Sequence, residues 1–240
     1  ADAVAELARA PAQALGLRTL QPVQRLEHPL FNTREGYGSY VVPGVAVIIV
    51  HQTLLMGIGL VLAQRRERGE AYASGAELLG SALAFGSLGT LSALFYFGFV
   101  FWFQDYPRGG QPAVVLCATL LFVGATVAFA LLVGSTFDRG ERPAQVLAAS
   151  SALLFFLSGM PWPFSAMPAP LATLAQLLPS TAGVQALVKV NQMQATLADV
   201  APELATLAGL ALAYGVLAAW RLLRRSSQRN SGAVSSSTAT

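Results

Sequence analysis

The chain has 240 residues, of which 54% are hydrophobic and only 11% are charged, with a formal net charge of +3 at pH 7. A soluble domain carries about 25% charged residues, so this composition excludes an ordinary soluble protein and indicates a polytopic membrane protein. The basic excess is small and lies at the ends of apolar runs, so no nucleic-acid partner is expected.

The first forty residues differ from the rest of the chain. They contain no apolar run of roughly 7–15 residues behind a basic segment, which a signal peptide would need. An alanine-rich stretch predicts a helix over Ala3–Ala14, and alternating apolar and polar residues predict a strand over Leu20–Leu26. We interpret residues 1–40 as the end of an extracytoplasmic domain.

Five apolar segments follow: Val41–Ala63, Leu78–Phe103, Ala113–Gly134, Ala144–Ser158 and Leu204–Leu223. At ~1.5 Å per residue, a helix of about 20 residues crosses a hydrocarbon core of ~30 Å. The fourth segment is short for a full span, and we expect it to extend into the stretch that follows. The sequence therefore predicts an all-α membrane domain of five transmembrane helices over residues 41–225. Residues 226–240 are polar and of low complexity, which predicts a disordered cytoplasmic tail.

Arginines indicate the orientation of these segments. They cluster after the first, third and fifth segments, at Arg65, Arg66, Arg68, Arg139, Arg142, Arg221, Arg224, Arg225 and Arg229. Connections rich in Lys and Arg stay in the cytoplasm. The N-terminal segment is therefore expected outside the membrane and the C-terminus in the cytoplasm.

A stretch of repeated breaks separates the fourth and fifth segments. Proline removes a backbone donor and blocks the helical turn, so apolar helices cannot continue through it. Irregular backbone at membrane depth is tolerated only where protein buries it or a wet cavity meets it. We expect a re-entrant hairpin of two short helices that dips from the outer face and closes a path there. Its break residues are Gly159, Pro161, Pro163, Met167, Pro168 and Pro179.

His51 and Gln52 lie in the middle of the first apolar segment. An ionisable residue inside a membrane is a candidate for function, so the pair could line a pathway. The alternative is a neutral histidine that is hydrogen-bonded to a neighbouring helix. The residues alone leave both interpretations open.

The longest cytoplasmic connection between segments begins with charges of both signs. Its residues are Arg65, Arg66, Glu67, Arg68, Gly69, Glu70 and Tyr72. Such a turn is either a charged flank that stops membrane insertion or a polar surface that docks on a soluble partner. The next cytoplasmic connection offers a possible second contact at Phe137, Asp138 and Arg139.

Motifs for chemistry within the chain are absent. The sole lysine, Lys189, follows a valine, so there is no Walker A loop to bind ATP. Neither a His-Glu-x-x-His nor a Gly-x-Ser-x-Gly motif occurs. The single cysteine, Cys117, cannot form an internal disulfide or a cysteine-based metal site. We expect no catalytic residue, no metal and no bound cofactor.

Three stretches carry a family resemblance: LFNTREGYGSYVVPG at Leu30–Gly44, QRRERGEAY at Gln64–Tyr72, and FLSGMPWPFSAMPAPLATLAQLLPSTAGVQAL at Phe156–Leu187. In order and spacing they resemble the permease subunit of ABC-2 type exporters, a group that includes bacterial drug-efflux permeases. In that family a Val-Pro-Gly opens the second membrane helix, and a Glu-Arg-Gly turn follows on the cytoplasmic side. The penultimate span runs into a proline-rich hairpin.

The resemblance implies a permease of the bacterial inner membrane that exports hydrophobic or amphipathic small molecules, such as drug-like compounds or lipid-linked material. It implies a separate ATPase subunit that binds ATP and contacts the turn at Arg65–Tyr72, and a second permease copy or a homologue. Family members have six spans, so we expect that the first helix and most of the extracytoplasmic domain are missing here. The competing hypotheses are an ATP-independent channel or secondary carrier that uses His51, and an intramembrane enzyme that pairs His51 with a serine.

Overall fold

The computed structural model describes residues 37–72, 74–104, 111–138 and 141–237, all within the compact unit formed by residues 34–240. The described part is helical, without strands, which confirms the predicted all-α class. Its helices are α1 (Tyr37–Glu67), α2 (Gly75–Leu94), α3 (Pro112–Gly134), α4 (Arg142–Leu157), α5 (Ala169–Gln176), α6 (Pro179–Met193) and α7 (Leu197–Ser237). The predicted helix Ala3–Ala14 and strand Leu20–Leu26 lie outside the described residues.

Four helical segments are long and apolar enough to cross a membrane: Val41–Glu67, Gly75–Phe103, Pro112–Gly134 and Leu197–Arg224. They correspond to the first, second, third and fifth predicted segments. The second includes a π-helical turn at Phe95–Val100 and a final turn at Phe101–Phe103. The bent pair α5–α6 provides a fifth candidate, as a broken span or a re-entrant loop with a bend of 80°.

The fourth predicted segment is a helix of 16 residues that ends at Leu157. The expectation that it extends into the following stretch is wrong. Gly159 adopts a φ of 84°, a left-handed conformation that ends a right-handed helix and that glycine takes without a steric cost. The prolines at 161 and 163 then prevent the helix from restarting at once.

The core lies where α1, α3 and α6 meet, with one side of α7 packed against them. The helices approach closely because glycines stand at their contacts. A Cβ at Gly183 of α6 would overlap the ring of Phe122 on α3, and a Cβ at Gly89 of α2 would overlap Leu54 of α1. Small residues of this kind are how helices pack in lipid, where no hydrophobic force drives them together.

One end of the bundle, here called the arginine-rich end, collects the C-termini of α1 and α3 and the N-termini of α2 and α4. Arg66 of α1 pairs with Asp138 just after α3, and Leu223 of α7 packs near Gly75 of α2. The helix α7 then continues to Ser237, so its backbone is helical over residues 226–237, where the composition predicts disorder. That stretch contains no proline to end the helix.

Candidate functional site

The turn at the end of α1 closes with a Schellman motif. The N–H of Glu70 donates to the carbonyl of Arg65 at 2.7 Å, and the N–H of Gly69 donates to the carbonyl of Arg66 at 2.9 Å. Gly69 has a φ of 71°, the left-handed conformation that this motif requires. The Glu-Arg-Gly sequence therefore fixes the direction in which the chain leaves the helix.

Arg66 joins this turn to the end of α3. Its Nη1 donates to the carbonyl of Phe137 and to Oδ1 of Asp138, both at 2.5 Å, and its Nη2 donates to the carbonyl of Ser135. The last carbonyls of a helix have no partner within it, so the guanidinium caps α3. The two predicted cytoplasmic contacts are thus one connected surface. Arg139 lies outside the described residues.

Arg65 joins the same turn to α2. Its guanidinium pairs with Glu77 in the first turn of that helix and lies 4.3 Å from the ring centre of Tyr72. Glu70 approaches to 4.0 Å. Tyr72 is buried beneath this guanidinium, so it supports the turn from inside and presents no surface to a partner.

The predicted contact residues therefore fall into two classes. Arg65, Arg66 and Tyr72 are half-buried or buried, while Glu67, Arg68, Glu70 and Asp138 are exposed at the arginine-rich end. Beside them is a cleft of about 830 Å³ between α1 and α4, lined by Leu60, Gln64, Glu67, Glu141, Arg142, Ala144 and Gln145. The cleft carries both charge signs, as a polar docking surface does.

His51 is completely buried, and its ring stacks on Phe129 of α3 with 6.0 Å between ring centres. Neither ring nitrogen has a hydrogen-bond partner among the described residues. Gln52, one position on, donates from Nε2 to the carbonyl of Leu147 on α4. Gln52 therefore bridges two helices, and the surroundings of His51 favour a packing role over a pathway.

Substitution of His51 separates these roles. We expect His51→Leu to unfold at the same or a higher temperature than the parent, because it removes a buried polar ring whose unsatisfied nitrogens cost about 1–3 kcal/mol. His51→Ala is expected to lose about 2–4 kcal/mol through the cavity that it leaves. Thermal unfolding of both variants in detergent measures the difference. If His51→Leu unfolds as early as His51→Ala, the imidazole has a hydrogen-bonded role instead.

The ring stack continues from Phe129 to a residue that sequence reasoning missed. Tyr214 of α7 lies 5.1 Å from Phe129 between ring centres, and its hydroxyl donates to the carbonyl of Leu177 at 2.6 Å. That carbonyl belongs to the break between α5 and α6. Tyr214 thus satisfies an acceptor that the bend leaves without a partner in the helix.

The broken stretch is ordered by a few contacts. Pro163 precedes a short 3₁₀ turn at Phe164–Ala166, Pro168 precedes α5, and Pro179 opens α6, where a missing N–H costs no helical bond. The hydroxyl of Thr181 donates to the carbonyl of Leu157, which connects the start of α6 to the end of α4.

Two of the remaining residues of the broken stretch, Gly159 and Met160, pack closely against neighbouring residues. Gly159 faces the ring of Phe164, where a Cβ would overlap the ring. Met160 fills the space in front of Gly44 on α1, and Met167 is buried, whereas Pro161 lies at the surface. Between residues 159 and 179 the structure has the 3₁₀ turn and one short helix, α5, whereas the second helix, α6, begins only at Pro179 and runs on to Met193. The re-entrant placement of this stretch in a membrane stays a prediction.

Among the described residues, no group of His, Cys, Asp and Glu is arranged to hold a metal ion. A sequence model of one protein family, described as "ABC-2 family transporter protein", matches residues 2–220 of the chain. No curated protein and no solved structure matches the chain.

Proposed function

Because the chain belongs to the ABC-2 family of transporter proteins and is therefore a multi-pass membrane permease of an ABC transporter, we propose that it exports hydrophobic or amphipathic small molecules with energy from a separate ATPase subunit. The observation that carries the proposal is the connected surface at the arginine-rich end. Arg65 joins the turn to α2, and Arg66 joins it to the end of α3. A displacement of the turn would therefore be transmitted to α1, α2 and α3.

The ATPase would dock on the exposed residues of that surface and in the adjoining cleft. The exposed charges are Glu67, Arg68 and Glu70 on the turn, with Arg142 at the first position of α4. The arginine bias supports a cytoplasmic location for this end, where an ATPase has access to ATP. The family resemblance supports the bacterial inner membrane and a second permease copy or a homologue as the other half of the path.

An ATP-independent channel or carrier at His51 is the weaker candidate. The ring of His51 is completely buried and stacks on Phe129 of α3. A site for ion or proton exchange needs access to water. The same burial weakens an enzyme that pairs His51 with a serine.

Reversal of the two exposed arginines beside the cleft tests the docking surface. Arg68→Glu with Arg142→Glu is expected to lower the amount of ATPase that co-purifies with the permease by about tenfold, which corresponds to ~1.4 kcal/mol. Each exposed ion pair contributes only about 0–1 kcal/mol, so single reversals should have small effects. The measurement is the molar ratio of ATPase to permease after co-expression, with substrate-stimulated ATP hydrolysis as a second readout.

The matched control is Arg68→Lys with Arg142→Lys, which keeps the charge and should keep the ATPase. Glutamate at position 142 suits the N-terminus of α4, so the reversed variant should fold and insert. Unchanged co-purification of the reversed variant at physiological salt would place the ATPase contact elsewhere.

A further inference from the structure

A second cavity lies between the broken stretch, α6 and α7. Its volume is about 360 Å³, within the usual size range of small-molecule sites. Its lining includes Phe164, Gln176, Thr181, Gln185, Glu203 and Thr206. Glu203 and Thr206 lie in the first ten residues of the span Leu197–Arg224. Polar lining inside a membrane-spanning helix marks a water-accessible or ligand-binding wall more often than a lipid-facing one.

Glu203 is the charged group of this wall. Only 11% of its side chain is exposed, and its Oε1 accepts a hydrogen bond from Nζ of Lys189 at 2.5 Å. Its Oε2 is buried and has no hydrogen-bond partner among the described residues. A buried carboxylate oxygen without a donor costs free energy, which a ligand ammonium that takes the place of Lys189 and reaches Oε2 would offset.

The hydroxyls of the wall are also set as acceptors. Thr206 donates its hydrogen to the carbonyl of Pro202 at 2.9 Å, and Thr181 donates to the carbonyl of Leu157 at 3.2 Å. Each hydroxyl oxygen is left with lone pairs and no hydrogen to offer. Thr181 is buried and Thr206 is exposed, so the Thr206 oxygen is the one that a ligand reaches, and with the Glu203 carboxylate it selects a ligand that donates hydrogen bonds.

Two further features specify the ligand. Phe164 provides an aromatic wall that suits an apolar body and attracts a cation over its face. Lys189 is 39% exposed and has a flexible stem, so its ammonium can turn to solvent when another cation takes its place at Glu203. The cavity then exchanges one ammonium for another with no net change of charge.

We propose that this cavity binds amphipathic amines, with a primary or secondary ammonium on Glu203 and the apolar body against Phe164. The proposal rests on the proposed function in one respect, because it makes such amines the class of exported substrate. Binding itself requires neither ATP nor the ATPase.

The test uses the full chain purified in lipid nanodiscs without ATPase, and three probes that share one aromatic body. 2-Phenylethylamine carries charge and donors, its N,N,N-trimethyl analogue carries charge without donors, and 2-phenylethanol carries a donor without charge. We expect calorimetry to show that the amine binds at least tenfold more tightly than either of the others. Equal affinity of the three probes would overturn the proposal.

Variants of the ion pair sharpen the test because they should act in opposite directions. Glu203→Gln is expected to weaken amine binding at least tenfold, whereas Lys189→Met should tighten it several-fold by removing the competing ammonium. Glu141→Gln, an exposed carboxylate at the arginine-rich end, is the matched control and should bind like the parent. A purely structural ion pair predicts that both Glu203→Gln and Lys189→Met lower the unfolding temperature and neither alters binding selectively, a result that would overturn the proposal.

If Glu203→Gln does not fold, Thr206→Val and Lys189→Met decide the matter. Thr206→Val removes one acceptor from an exposed position and should weaken amine binding about threefold, so unchanged binding in both variants would count against the site.

The cavity proposal and the proposed function can fail independently of each other. Absent amine binding in a permease that still retains its ATPase contradicts the cavity alone, and intact amine binding without ATP-driven transport contradicts the proposed function alone.

Discussion

Arg66→Glu is expected to unfold the arginine-rich end of the bundle and to abolish retention of the ATPase at the same time. The guanidinium donates to two backbone carbonyls at the end of α3 and to Asp138, so the substitution removes a helix cap and places a carboxylate against acceptors. Hydrogen bonds to a charged group contribute about 1.5–3 kcal/mol each when buried. Asp138 is 74% exposed, so solvent weakens its ion pair with Arg66. We therefore expect the free energy of unfolding to fall by about 2–4 kcal/mol in total.

The measurement is thermal unfolding of the purified permease, followed by co-purification with the ATPase. Arg68→Glu makes the same charge change two positions later on an exposed side chain, so it should unfold like the parent. Arg66→Lys should fall between the parent and Arg66→Glu, since an ammonium cannot cap several carbonyls as a planar fork does. If Arg66→Glu and Arg68→Glu unfold at the same temperature, the cap does not hold the two connections together.

Gly183→Leu is expected to prevent α6 from seating against α3. A Cβ at this position already overlaps the ring of Phe122, which is completely buried. Overpacking of a dense interior costs about 1–3 kcal/mol, and a leucine here adds three carbons beyond the Cβ. We therefore expect a loss of about 3 kcal/mol, seen as a much lower yield of folded protein in detergent and a lower unfolding temperature.

Gly209 of α7 provides the matched control, because nothing lies within 4 Å of a Cβ built there. Gly209→Leu should leave yield and unfolding temperature close to those of the parent. Gly183→Leu combined with Phe122→Ala should recover part of the loss, since the shortened side chain makes room. A parent-like Gly183→Leu would mean that α6 and α3 are further apart than described.

The four long spans were predictable because an apolar run of more than 20 residues has few alternatives to a membrane helix. Several boundaries also followed from local chemistry. Pro112 and Pro179 each open a helix, where a missing N–H costs nothing, and Gly69 ends one in a left-handed turn. These signals act within a few residues, so the sequence alone displays them.

The contacts that make the candidate sites are of another kind. Arg66 and its acceptors are about seventy positions apart in the chain, and no periodicity indicates that pairing. Glu203 was missed because it stands one residue before the predicted fifth segment and looked like part of a polar approach. The structure begins that helix at Leu197, which places the carboxylate inside the span, and Lys189 reaches it across the turn between α6 and α7.

His51 could be identified from the sequence, but its surroundings could not. Composition identified His51 as unusual within the first segment, yet its burial and its stack on Phe129 depend on where α3 lies. Tyr214 gave no signal at all, because its importance arises from an open carbonyl on a distant helix break.

The uneven burial of the helices has a mechanical consequence. α6 is enclosed on nearly every face by α1, α3 and α7, whereas α2 buries only Leu78, Gly89 and Ala93 along its length. Close-packed interiors resist shear, and weakly buried elements are displaced at little cost. A displacement of the turn between α1 and α2 would therefore move α2, through the Arg65–Glu77 ion pair at its base, more easily than it moves the close-packed α1, α3 and α6.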